Sequence, residues 1–247
     1  MMTKVISIVS GKGGTGKSTI SIGICASLAK ANHRVLLIDL DIGLRSLDIM
    51  LNIEDKIVYD IMDIIDGRCS AQKAIVSCPN LPNLHLLSAP FNISKSFDIT
   101  QVANLITAIK NNFDYVVLDN SAGIGTGIYM ARAVSDSAIV VTTADNVAVR
   151  DAAKIVSTIA SKAKIPCRLI INKVNRQSLS MSEFTSLDDI IDIVGAQLIG
   201  VVPSDYAIQQ LFNKIDYNEN LTQTSQIFKN ITQRIEGKYV PLLVKSL

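Results

Sequence analysis

Short runs of Val, Ile and Leu alternate along the chain with longer stretches in which apolar residues recur every three or four positions. The runs predict strands at 5–10, 34–40, 84–88, 115–119, 138–142, 168–171 and 197–202. They lack clean polar alternation, the pattern of strands buried on both faces. The longer stretches predict helices near 17–31, 100–111, 146–162, 187–194 and 221–235. In the first of these, Ile20, Ile24 and Leu28 fall at i, i+4 and i+8, one stripe that would lie on a sheet. Strand–helix alternation of this kind predicts an α/β fold, a mostly parallel twisted sheet with helices on both faces. Polar clusters at 172–186 and 216–226 read as surface loops. No linker, repeat or low-complexity tract divides the chain, so residues 1–247 read as one domain with a short tail at 238–247. In open sheets of this type ligands sit at the carboxyl ends of the strands, so the residues that follow strands carry the interest.

Composition narrows the classes. At 247 residues the chain is long enough for a sizeable core, and 48% hydrophobic against 19% charged residues excludes wholesale disorder. Lys plus Arg is 24 and Asp plus Glu is 22, a formal charge of +2, which argues against a protein working mainly as a phosphate-backbone clamp. No apolar run reaches the roughly 18 residues of a membrane span. The opening Met1–Lys4 leads straight into a strand, too short a run for a signal peptide. Cys25, Cys69, Cys78 and Cys167 are widely spaced and form no CxxC pair, so they read as buried or free thiols in a reducing cytoplasm.

The strongest motif is Gly11-Lys12-Gly13-Gly14-Thr15-Gly16-Lys17-Ser18-Thr19 between the first strand and the first helix. It matches G-x-x-x-x-G-K-[ST] in the context that motif needs, which makes the fold a P-loop NTPase. Glycines let the backbone curl so that successive N–H groups face phosphate oxygens, and the following helix adds its positive end. Lys17 would reach the β- and γ-phosphates and Ser18 would ligate Mg²⁺. Lys12 is a second cation that such a loop does not require. It could serve phosphoryl transfer in cis or across a dimer, and its spacing does not choose between them.

Carboxylates follow two strands. Asp39 and Asp41, at i and i+2 of an extended segment, would point to one side, one near Mg²⁺ and one near an attacking water. Asp119 closes an apolar strand in the Walker B manner and would orient Mg²⁺. The glycines of 122–127 suit a mobile loop that senses the γ-phosphate.

These residues resemble the MinD/ParA family of deviant Walker A ATPases. Lys12–Thr19 looks like its signature box, and Asp39–Asp48 resembles the first switch of the MinD branch. Val58-Tyr59-Asp60, Asp66-Gly67, Ala122-Gly123-Ile124 with Thr126-Gly127, Val149-Arg150-Asp151, Ile170–Lys173 and Ile199–Pro203 match later landmarks, so the likeness runs over about residues 4–244. The resemblance implies a slow, partner-stimulated, Mg²⁺-dependent ATPase that positions the division site by cycling between ATP and ADP. It implies an ATP-bound homodimer in which Lys12 crosses to the partner's phosphates. Asp41 would position the hydrolytic water, with Asp39 and Asp119 near Mg²⁺. Asn172 would contact adenine, with backbone after Pro203 closing that pocket. Arg150 and Asp151 match a region that the family uses for partners, here a division inhibitor and an activator. The implied location is the cytoplasm, with weak peripheral contact at the inner face of the membrane, and no nucleic acid.

Two departures stand out. Position 121 is Ser where the family's second switch usually carries Pro, which leaves that loop's chain less restricted. The chain ends Pro241-Leu242-Leu243-Val244-Lys245-Ser246-Leu247, where the branch carries a basic amphipathic membrane helix, and six residues are far short of an isolated helix. Three other functions compete with this one. A nucleic-acid-bound partition ATPase of the same family typically has Asp-Pro-Gln in the first switch; here Asp41 precedes Ile42-Gly43, and no cluster of five Lys/Arg exists. A cysteine-ligated redox relative would need thiols near the second switch, and none lies between Cys78 and Cys167. A flagellar-number regulator differs only in first-switch detail.

Overall fold

The sheet has eight strands in the order β3-β4-β2-β5-β1-β6-β7-β8. They are β1 (Lys4–Val9), β2 (Val35–Leu40), β3 (Val76–Cys78), β4 (Leu81–Leu87), β5 (Tyr115–Asn120), β6 (Ser137–Thr142), β7 (Cys167–Val174) and β8 (Gln197–Pro203). The computed structural model describes residues 2–42, 45–90, 98–162, 164–175, 186–204 and 223–242. Gly43 and Leu44 of the first-switch match, the 176–185 part of one expected loop, residues 216–222 of the other, and residues 243–247 of the tail lie outside the described residues. All neighbouring strands pair in parallel except β3 with β4. The seven strands expected from the sequence are present, with ends moved by up to three residues. The edge strand β3 was missed: three residues show no periodicity.

Helices cover both faces: α1 (Lys17–Lys30), α2 (Leu47–Met50), α3 (Ile61–Ile65), α4 (Ala71–Ala74), α5 (Ile99–Ile109), α6 (Thr126–Val134), α7 (Asn146–Lys162), α8 (Leu187–Val194) and α9 (Gln223–Ile235). Strand residues alternate between the two faces of the sheet, where they join three core clusters. Ile6, Ile8, Leu37 and Val117 pack with Ile20, Ile24 and Leu28 of α1 and with Ile227, Phe228 and Ile231 of α9. Leu36, Ile38, Val116 and Leu118 pack with Val102 and Ile106 of α5 and Met130 of α6. Val140, Leu169 and Ile171 pack with Val149, Ala152 and Ile155 of α7 and with Ile190 of α8. The stripe on α1 meets the sheet as expected, but its outer side is buried too. Gly23 makes this close approach: a Cβ there would run into the Phe228 ring of α9. Ser27 and Thr232 link their hydroxyls across the same contact at 3.0 Å.

Two expectations are corrected. Residues 172–174 belong to β7 rather than to a surface loop. The glycine loop after β5 ends two residues sooner than expected, because α6 starts at Thr126. No helix among the described residues is long and apolar enough to cross a membrane. All four cysteines are free. Cys25 and Cys78 are buried, and burial pushes the Cys78 thiol up to about 12, the setting of an inert structural cysteine.

The order of the strands creates the site. From β1 the chain crosses through α1 to β2, on the far side of β5. From β5 it crosses through α6 to β6, on the far side of β1. The two connections diverge, and a crevice opens at the carboxyl ends of β1 and β5.

Candidate functional site

The loop Gly11–Gly16 fills that crevice. Gly14 and Gly16 have φ of 78° and 88°, the left-handed region where a side chain is strained. Gly16 stands at the N-cap of α1, and no side chain caps the helix. No acidic residue occupies the first turn either. The first amides of α1 therefore remain available to an anion, and the helix dipole favours one there. Lys17 is only 7% exposed, although a lysine is seldom buried without an anionic partner. Ser18 and Thr19 follow on the first turn and are half-buried.

Parallel pairing sets Asp39 of β2 in register with Asp119 of β5. Each lies two residues beyond a side chain packed on the α1 face, Leu37 and Val117, so both carboxylates turn toward the start of α1. Each is 1% exposed, and each keeps one oxygen, Oδ2, without a partner. The other Asp39 oxygen accepts the Asp41 N–H at 2.9 Å, and the Asp119 Oδ1 accepts from Ser21 Oγ at 2.9 Å. Burial, reinforced by Asp119 and Asp41, pushes the Asp39 carboxyl up to about 7 against the pull of the Asp41 N–H. Burial also raises Asp119, opposed by the Lys17 charge and by hydrogen bonds from Ser18 and Ser21. Two adjacent buried carboxylates with orphaned oxygens beside a serine hydroxyl are a donor set for a hard divalent cation. With the curled loop, the open helix end and Lys17, the residues fit a Mg²⁺–polyphosphate.

Asp41 parts from Asp39. β2 ends at Leu40, so the extended geometry stops before it, and Asp41 is half-buried at the rim. Lys12 stands on the outer lip, 47% exposed, with its ammonium 3.1 Å from Asp145 Oδ1. Asp145 also accepts the Ala148 N–H at the start of α7, and these contacts hold its carboxyl below the usual range. Asp151 of α7 presses on the loop: a Cβ at Gly11 would collide with its own. Arg150 is exposed on the same helix.

Asn172 is 3% exposed at the end of β7, and its Nδ2 donates to Thr15 O at 2.7 Å. The carboxamide thus lies against the phosphate loop itself. Pro203 closes β8 beside it, in register with Val174. Ser10 Oγ donates to Lys12 O, and the Gly123 N–H donates to Ser10 O, tying the turn after β5 to the loop. The structure therefore assembles Gly11–Thr19, Asp39 and Asp119 in one crevice, with Asp41 at its rim and Asn172 and Pro203 on neighbouring strand ends. Ser10, Ser21, Asp145 and Lys173 also belong to it and were missed. Ser21 had a weak signal, a hydroxyl one turn after Lys17 within an apolar stripe; the other three join the loop from outside it.

Known proteins match this arrangement. A family model described as an AAA domain matches residues 3–166. The septum site-determining protein MinD of Synechocystis is 37% identical over 246 residues, covering 98% of this chain and 92% of that one. MinD of Bacillus subtilis is 34% identical, with the same coverage of both chains. A chain of the MinC:MinD cell division protein complex of Aquifex aeolicus superposes with a TM-score of 0.86 at 34% identity, covering 98% and 99% of the two chains. A putative plasmid partition protein of Borrelia burgdorferi shares the fold, with a TM-score of 0.75, at 22% identity over 96% of this chain and 100% of that one.

Proposed function

This chain belongs to the septum site-determining MinD family, and from that premise we propose that it is a Mg²⁺-dependent ATPase whose ATP state is a homodimer. Residues 1–247 act in this reading as one ATPase domain. The loop Gly11–Thr19 holds the phosphates, with Lys17 neutralising them. Ser18, Asp39 and Asp119 hold Mg²⁺, which polarises the phosphoryl group undergoing transfer. Asp41, at the rim, orients the attacking water. Asn172 and the backbone after Pro203 border the adenine. Septum-site relatives at 34–37% identity support a role in positioning the division site. The Aquifex complex, which pairs MinD with MinC, supports a protein partner, and the α7 surface around Arg150 is the proposed place for it. Weak peripheral membrane contact through the tail completes the proposal.

The observation that carries the dimer is Lys12. It is half exposed, outside the cradle that Lys17 already serves, and among the described residues it pairs with a surface carboxylate of its own chain. Such a pair is worth at most about 1 kcal/mol, so a partner's triphosphate can displace it. The test uses Asp41→Ala to slow hydrolysis, with sedimentation velocity in ATP or ADP. Dimers are expected in ATP alone. Adding Lys12→Ala should leave ATP bound and the protein monomeric; undiminished dimerisation would refute the crossing lysine. Pelleting with anionic vesicles in ATP but not ADP tests the membrane contact, and retention in the supernatant in both would refute it.

A further inference from the structure

Three carbonyls of the phosphate loop are held by side chains that lie outside Gly11–Gly16. Ser10 Oγ donates to Lys12 O at 3.1 Å, Lys173 Nζ to Gly14 O at 2.7 Å, and Asn172 Nδ2 to Thr15 O at 2.7 Å. A trans peptide is planar, with its C=O and N–H pointing in opposite directions. Each carbonyl pulled outward therefore turns the next N–H inward: that of Gly13, Thr15 and Gly16.

Lys173 reaches the loop from an unusual backbone. Its φ is +57°, and the pairing of β7 with β8 shifts register between Ile171 and Val174, where Asn172 and Lys173 sit. A non-glycine residue held there is strained, and such strain collects at functional sites. What the strain achieves here is visible in the contacts. Two consecutive residues, which would alternate sides in a regular strand, both donate to the same loop. Gly16 completes the arrangement, since a Cβ there would strike Asn172 Nδ2.

We propose that Lys173 is a positioning residue of the phosphate site. Its ammonium fixes the Gly14–Thr15 peptide, and the Asn172 carboxamide fixes the next, so that the loop amides are aimed at phosphate before any ligand arrives. The proposal rests on the nucleotide-binding reading above and deepens it. Lys173 serves the polyphosphate, whatever base is attached to it.

The test compares ATP with inorganic tripolyphosphate, which has no base, each with Mg²⁺, by titration calorimetry. Lys173→Met keeps the stem and removes the ammonium; its side chain is exposed, and circular dichroism checks the fold. Both ligands should weaken by a similar factor, roughly tenfold for one charge-assisted hydrogen bond. Lys173→Arg, which keeps a donor, should recover most of the loss. Amide exchange at residues 13–16 should also quicken in Lys173→Met prepared without ligand. If ATP weakens and tripolyphosphate does not, Lys173 serves the base and the proposal is overturned. Unchanged affinity for both overturns it too. If the wild type binds neither ligand, the nucleotide-binding reading fails, and exchange at 13–16 alone then decides whether the brace exists.

Discussion

Asp39→Asn should stabilise this protein in the absence of Mg²⁺ and nucleotide, and only above acid pH. Asp39 holds its proton to about pH 7 because burial penalises its charge. In the unfolded chain it ionises near 3.9. A carboxyl raised in this way contributes stability that is intact below about pH 4 and lost as pH rises to 7. A gap of about 3 pH units corresponds to about 4 kcal/mol. Asp119, raised by the same burial, shares the penalty, so about 2 kcal/mol is the working figure for Asp39 alone. Asparagine removes the charge and keeps an oxygen for the Asp41 N–H. Its new amide faces Asp119, whose Oδ2 has no partner. Urea and thermal denaturation with a chelator present, at pH 5 and 7.5, measure the effect. Wild type should fall relative to Asp39→Asn between the two pH values, and the variant should unfold about 4–8 °C higher at pH 7.5. Adding Mg²⁺ with ATP should reverse the order, because the variant lacks a ligand for the metal. Equal destabilisation of Asp39→Asn at both pH values would refute the reasoning, since its loss would then owe nothing to the proton.

Two further outcomes are expected. Asp145→Asn releases Lys12 from its 3.1 Å ion pair and should raise ATP-dependent dimerisation up to about fivefold, the ceiling of an exposed pair, while lowering the melting temperature of the ligand-free protein by no more than about 2–4 °C. Sedimentation at graded protein concentrations reads it. Gly23→Ala drives a methyl into Phe228, and despite the gain in helix propensity should cost about 1–2 kcal/mol by urea denaturation. Adding Phe228→Leu should restore part of that loss.

The sequence revealed what is periodic or contiguous. The long helices and the central strands announce themselves by spacing, and α8 carries both its signals, the Ser186–Asp189 capping box and Gly195 with φ 69°. The phosphate loop is contiguous, so its role was legible residue by residue. β3 and α2 to α4 span three to five residues each, too few for a period to show. Pairing across the fold was the other hidden part. The register of Asp39 with Asp119 depends on which strands are neighbours, and the Lys12–Asp145 contact joins residues 133 apart. The i, i+2 spacing of Asp39 and Asp41 spans the end of β2, so only the first of them lies in the strand. Asn172 was read through resemblance as a base contact; its hydrogen bond to Thr15 O shows that it also shapes the loop.

The distribution of unsatisfied groups bears on how the proposed switch would work. Six buried side-chain atoms lack a partner among the described residues, and four of them belong to Thr15, Asp39, Asp119 and Asn120 at the ends of β1, β2 and β5. An orphaned buried polar group costs about 1–3 kcal/mol, so this corner is the most expensive part of the core to hold together. On the proposed function a cation would satisfy the carboxylates, with ADP as well as with ATP. A switch needs more, a difference in interaction between its two ligands. That difference must come from groups at the rim that a terminal phosphate can reach and a diphosphate cannot. On the proposed function Lys12 and Asp41 are such groups, since both side chains are partly exposed at the rim. The Lys12 contact with the surface Asp145 can be exchanged, and the Asp41 bond to Asp39 runs through the backbone N–H, which leaves the Asp41 carboxylate outside it. On the proposed function, the buried centre would provide affinity common to both nucleotides, and the rim the discrimination between them.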